Sequence, residues 1–191
     1  MMEPSKKLPT TLESKEVFSG RVFTVTTDTV TEGGRTYARD VVHHPGSAVI
    51  VPVFDDGTVG FVRQYRHPAL RYLLEVPAGK LNKGERPEAG AARELEEELG
   101  IVCANLLKLT EFYVSPGFCE EKMWIYLATG LTETAQRLDE DEIVEKVLLP
   151  FSSALEMIGS GELEDAKTII GLLLAAPHVG LSMLEAKYPA V

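Results

Sequence analysis

Cysteine is nearly absent. Cys103 and Cys119 are the only two in 191 residues. They form neither a metal-type spacing nor a disulfide framework, so a fold without staples in a reducing cytoplasm is the simplest expectation. Positive charge is also scarce: 19 Lys and Arg stand against 29 Asp and Glu, a net charge of −10. That balance argues against general affinity for nucleic acid or anionic lipid. A polyanionic small substrate stays open, provided that metal cations mediate the contact. Long apolar runs are missing too. The longest, Ile169–Pro177, is far too short to cross a bilayer. The opening MMEPSKKLPTTLES is polar and has no apolar core, so no signal peptide is expected. What is present, 45% hydrophobic and 25% charged residues, suits a globular chain long enough to bury one core.

Residues 1–14 read as a flexible lead-in. Glu16–Thr27 and Tyr37–His43 read as strands of a hairpin arm, broken by the turn signal Glu32-Gly33-Gly34. Ser47–Phe54 and Val59–Tyr65 read as a clearer hairpin across Asp55-Asp56-Gly57. Tyr72–Val76 is a short strand. A helix is expected from Pro87, a good first helical residue, to the stop at Gly100. Ala92, Leu95 and Leu99 form its packing stripe. Leu106–Tyr113, Lys122–Thr129 and Val144–Pro150 read as strands, Ser152–Ile158 as a short helix and Asp165–Ala175 as a longer one. Strands before and after a central helix predict a mixed α/β (α+β) sandwich rather than a doubly wound sheet. The expected organisation is an arm over 1–44 and a main domain over 45–191.

The central segment, 79-GKLNKGERPEAGAARELEEELGI-101, concentrates carboxylates at Glu94, Glu96, Glu97 and Glu98. Like charges one turn apart on a helix repel. Glu94 and Glu98 are four apart and share a face, Glu97 flanks it, and Glu96 points to solvent. A divalent cation reverses the sign of that repulsion, and hard oxygen ligands suit Mg²⁺ or Mn²⁺. Arg93, four before Glu97, can brace it, and Glu85 can join from the loop. A solvated acidic face is the ordinary reading of such a run.

The spacing decides otherwise. The segment reads G-x5-E-x7-R-E-L-x-E-E-x-G-I, with Gly79, Glu85, Arg93, Glu94, Leu95, Glu97, Glu98, Gly100 and Ile101 at the fixed positions. It matches the signature of the Nudix hydrolases at every one of them, and the chain resembles that family. The resemblance implies a loop–helix–loop that holds Mg²⁺ against the pyrophosphate of a nucleoside diphosphate linked to another group. It implies Glu94 and Glu98 as primary metal ligands and Glu97 as ligand or close support. Arg93 and Glu85 orient the site, and Gly79 lets the loop bend.

Other segments resemble the ADP-ribose pyrophosphatase branch: 61-FVRQYRHP-68, 72-YLLEVPAGK-80 and the Ser-Pro-Gly of 113-YVSPGFCEEK-122. That similarity implies a backbone carbonyl of Ala78 on a metal and Arg66 on a substrate phosphate. Glu75 resembles a family residue near the terminal ribose, although a strand glutamate paired with a nearby arginine is the alternative. Ser115 and Glu121 are candidates to reach substrate. The general base resembles a glutamate of the acidic loop in 138-LDEDEIVEKV-147, with Glu140 as base and Glu142 as a further metal ligand. The arm implies a domain-swapped homodimer, with Phe18 or Phe23 stacking on a base and Arg39 reaching the neighbouring site. Core phenylalanines and a surface arginine are the plainer readings of those three. The expected reaction is Mg²⁺-dependent hydrolysis of ADP-ribose or ADP-sugars to AMP and ribose 5-phosphate. The rivals are another nucleotide sugar such as GDP-mannose, and a non-catalytic Nudix sensor, which typically loses the box carboxylates retained here.

Overall fold

The structure is a computed structural model that describes residues 7–138 and 143–181. It divides into two units. One comprises the chain up to Gly46 together with Phe112–Lys122; the other comprises Ser47–Glu111 and the chain from Met123 onward. The Ser-Pro-Gly segment belongs to the first of these units.

The first unit is built on three antiparallel strands in chain order: β1 (Thr10–Ser19), β2 (Thr24–Glu32) and β3 (Arg35–His43). Part of the expected lead-in is therefore strand. The single strand read over Glu16–Thr27 is two strands, because the chain turns at Gly20, whose N–H donates to the Phe23 carbonyl at 3.0 Å. Gly33 and Gly34 make the second turn with φ of 57° and 77°, a conformation that favours glycine. The Ser-Pro-Gly segment lies beside β3: Val42 donates to the Phe118 carbonyl, and Glu120 donates back to the Val42 carbonyl.

The second unit opens with β4 (Ser47–Pro52) and β5 (Thr58–Arg66), followed by β6 (Arg71–Glu75) and the short β7 (Ala78–Lys80). Helix α1 spans Pro87–Leu99. Strands β8 (Ile101–Tyr113), β9 (Lys122–Glu133) and β10 (Val144–Pro150) precede helices α2 (Phe151–Ser160) and α3 (Ala166–Ala175). The last two helices are equally long, ten residues each. The sheets run β7-β4-β9-β8 and β10-β5-β6. Strands β4 and β5 are consequently not the expected hairpin. They lie in different sheets because β4 pairs antiparallel with β7 on one edge and parallel with β9 on the other. Across the turn, Val53 and Val59 form an isolated bridge and the Phe54 N–H donates to the Thr58 carbonyl.

The apolar run of β4 is buried on both faces. Ala48 and Ile50 face the core that includes Leu95, Leu99 and Tyr126. Val51 approaches α3, where a Cβ on Gly171 would stand 2.8 Å from it. A strand covered on both faces reads as a continuous hydrophobic stretch, which is why no alternation is visible there.

Candidate active site

Helix α1 begins at Pro87 and is capped after Leu99 by Gly100, whose φ of 63° closes the last turn with its N–H on the Glu96 carbonyl. Its buried face carries Gly90, Ala91, Glu94, Leu95, Glu98 and Leu99. Ala91, not Ala92, joins the leucines, since Ala92 is exposed. Glu96 is half-buried rather than solvent-facing and lies 3.6 Å from Arg137.

Two carboxylates on the apolar side of a helix need partners, because an unpaired buried charge is costly. Glu98, 2% exposed, accepts the Ala78 N–H at 3.0 Å. Glu94, 7% exposed, lies against Gly79: a Cβ there would meet its carboxyl carbon at 2.0 Å. Gly79 has no positive φ and sits in a regular strand, so it supplies space rather than the expected bend.

Arg93 links the remaining carboxylates. Its Nη1 donates to Glu94 (2.6 Å) and Glu97 (2.7 Å). Its Nε and Nη2 both bond Glu85, and Nη2 also reaches the Lys80 carbonyl. Glu85 in turn accepts the Asn82 N–H. The Arg93 hydrogen bond, opposed by burial and aided by Asn82, holds the Glu85 carboxyl below its ordinary 4.5. The Glu85 hydrogen bond likewise raises the Arg93 pKa, with Glu94 and Glu97 contributing.

Glu94 and Glu98 lie on the buried face of α1, and Glu97 is half-buried beside them. Among the described residues, no three His, Cys, Asp or Glu side chains form a ready metal cage. Arg93 Nη1 instead bridges Glu94 and Glu97. The donor set still fits Mg²⁺ or Mn²⁺. It consists of hard carboxylate oxygens on one helix, beside the Ala78 backbone, with Glu94 seated in the space that Gly79 leaves without a Cβ.

Arg66 and Glu75, expected at substrate, are joined to each other. Glu75, 1% exposed, accepts Arg66 Nε and Nη2 at 2.6 Å each, and Lys167 Nζ donates to it as well. Burial pushes the Glu75 pKa up, but the two cations override it and hold the carboxyl below 4.5. The paired-strand alternative is thus the arrangement present. A Glu75 this buried acts on Arg66 rather than reaching solvent. Sequence reasoning missed Lys167; its signal was a lone lysine opening an apolar helix.

Glu140 and Glu142 lie outside the described residues. The chain leading to them is tied to α1: Gln136 Nε2 donates to the Glu98 carbonyl, and Arg137 N–H donates to the Glu97 carbonyl.

In the first unit, Phe18 is 50% exposed and its ring centroid lies 5.5 Å from that of Phe23, which is also exposed. Neither is a core residue of this chain. Arg39 stacks on Tyr37 at 4.2 Å and, with Tyr113 and Phe118, lines a cavity of about 390 Å³. The Ser115 carbonyl accepts the Phe118 and Cys119 N–H groups, and Glu121 lies 3.6 Å from His44.

Comparison with known proteins places residues 43–169 on the NUDIX domain. The chain is 42% identical over 161 residues to an ADP-ribose pyrophosphatase of Bacillus subtilis, covering 83% of this chain and 87% of that one. It is 40% identical over 165 residues to a methanol dehydrogenase activator of Bacillus methanolicus, covering 85% and 89%. A crystal structure described as an ADP compounds hydrolase matches the fold with a TM-score of 0.80 at 24% identity, over 93% of this chain and 97% of that one.

Proposed function

Because this chain belongs to the Nudix family and is a Nudix hydrolase, we propose that it cleaves the pyrophosphate bond of ADP-ribose, or a related ADP-sugar, to AMP and ribose 5-phosphate. The observation that carries the reading is the pair of buried carboxylates, Glu94 and Glu98, held beside the Ala78–Gly79 strand. Burying two charges on an otherwise apolar helix face is costly for a binding fold with no cation to receive. The 42% relative supplies the substrate class.

Glu94, Glu98 and the Ala78 carbonyl would hold Mg²⁺, or Mn²⁺, with Glu142 as a further ligand. When bound, a divalent cation neutralises diphosphate charge and makes water more acidic. Arg93 keeps Glu97 and Glu94 oriented. Arg66 presents its guanidinium to a phosphate oxygen. Glu140 takes the proton of the attacking water as general base. The arm supports a homodimer in which exposed Phe18 or Phe23, with Arg39, Ser115 and Glu121, would reach nucleotide. The cytoplasm is the expected compartment. No helix among the described residues is long and apolar enough to cross a membrane.

The test is a substrate panel with Mg²⁺: ADP-ribose, ADP-glucose, GDP-mannose, NADH and diadenosine polyphosphates, ranked by kcat/KM. ADP-ribose or an ADP-sugar should rank first. GDP-mannose in first place replaces the substrate assignment, and no turnover on any member sinks the catalytic reading.

A further inference from the structure

We infer that Lys167 is a positioning residue for Arg66, acting through Glu75 so that Arg66 is both fixed in place and still cationic toward a bound diphosphate. The inference rests on the reading of Arg66 as the phosphate contact and adds the group that sets it.

The geometry forms one chain of contacts. Arg66 ends β5, Glu75 ends β6, and the two strands pair antiparallel. Glu75 Oε1 takes Arg66 Nε; Oε2 takes both Arg66 Nη2 and Lys167 Nζ. Lys167 also donates to Asp165 Oδ1 at 2.9 Å. Asp165 caps α3, its Oδ2 accepting the Thr168 N–H at 2.9 Å and the Thr168 hydroxyl at 2.6 Å. Thr168 Oγ1 accepts the Val76 N–H at 2.9 Å. Two residues later, the Ala78 N–H is on Glu98. The first turn of α3 therefore holds the guanidinium through Glu75 and the backbone entering the Nudix box through Val76.

The charges explain why a lysine is needed. Arg66 and Lys167 face Glu75 and Asp165, two cations against two anions. Without Lys167, the buried Glu75 would be balanced by Arg66 alone, and an arriving phosphate would meet a cluster with one surplus negative charge. With Lys167 present, Glu75 can grip Arg66 in bidentate fashion without consuming its charge. Lys167 is only 8% exposed, so its effect on a ligand passes through Glu75. Glu98 is among the charges that act on Arg66, so Arg66 lies within electrostatic reach of the box.

The experiment measures ADP-ribose binding by calorimetry in EDTA, and kcat and KM with Mg²⁺, for Lys167→Met, Lys167→Arg, Glu75→Gln, Arg66→Ala and the Glu75→Gln/Arg66→Ala double variant. Thermal melts check folding. Lys167→Met should weaken ADP-ribose binding about tenfold, the scale of one lost charge-assisted contact, and raise KM more than it lowers kcat. Lys167→Arg should restore most of the loss. Glu75→Gln should also weaken binding although it adds a net positive charge, because position and not charge alone is lost. In the Arg66→Ala background, Glu75→Gln should add nothing further. A folded Lys167→Met or Glu75→Gln protein that binds as tightly as wild type overturns the inference. So does a Glu75→Gln effect of equal size with and without Arg66. Should Lys167→Met fail to fold, the Glu75–Arg66 cycle decides alone. Failure of the broader reading looks different: the unmodified protein would neither bind nor cleave any nucleotide diphosphate sugar, and the inference would fall with it.

Discussion

Gly79 and Glu94 compete for one volume: a Cβ on the glycine would stand 2.0 Å from the carboxyl carbon of the glutamate. Because Gly79 has no positive φ, alanine is sterically acceptable to the backbone there. Gly79→Ala should therefore act by displacing Glu94. The expected result is a loss of Mg²⁺-dependent turnover on the order of 10²-fold, the scale of a displacement of about 1 Å, with a native circular dichroism spectrum. Near-normal kcat/KM would show that Glu94 need not sit in that volume.

Glu98→Gln separates charge from shape. The glutamine oxygen can still accept the Ala78 N–H, so the strand–helix junction should survive with little change in Tm. Turnover should fall by about 10²-fold or more, since a neutral amide is a poor partner for a hard divalent cation. Wild-type rates would refute a ligand role.

Arg93→Ala leaves Glu85, Glu94 and Glu97 without their shared cation. In EDTA the variant should lose about 2 kcal/mol of stability, below the figure for a fully buried pair because the cluster is partly solvated. Millimolar Mg²⁺ should then raise its Tm more than that of wild type, as the metal takes over the neutralisation. Equal Mg²⁺ shifts in the two proteins would separate Arg93 from the metal site.

Acid should unfold the protein partly through Glu75 and Glu85. Both carboxyls are held below their ordinary 4.5 in the folded state. A depressed carboxyl contributes stability above its unfolded value, and that contribution is lost as pH falls through the folded value. Melting temperature should therefore drop as pH is lowered below about 4.5. Glu75→Gln, though less stable at neutral pH, should show the shallower decline. Parallel curves would remove Glu75 from the acid response.

Glu140→Gln should lower kcat strongly and leave metal affinity nearly unchanged, since a base that is not a ligand affects only the chemical step. If kcat is unaffected, Glu142 is the next candidate.

The box was legible because its chemistry is local. Pro87, Gly100 and the glutamate spacing lie in one helix, where sequence separation translates directly into faces. What the sequence hid was set by tertiary partners. Besides Arg66, Glu75 has Lys167 as a partner, 92 residues farther along the chain. The mistaken β4–β5 hairpin followed from a strong turn signal at Asp55-Asp56-Gly57, overruled by the partners β4 found on both edges. The turn at Gly20 was missed, although Ser19-Gly20 is a turn signal, because Val17-Phe18 and Val22-Phe23 flank it with strand-forming residues. Ala91 and Ala92 exchanged places because neighbouring small residues barely alter helical periodicity.

The Gln136 side chain and the Arg137 backbone N–H both bond carbonyls at the end of α1. They act as a leash of fixed origin. Glu140 follows Arg137 by three steps along the chain, so covalent geometry limits the reach from that anchor to about 11 Å. Substitutions within the acidic segment leave this limit intact, whereas glycines inserted after Arg137 would lengthen it. Among relatives that act on different substrates, this stretch should therefore vary freely in composition and hardly at all in length.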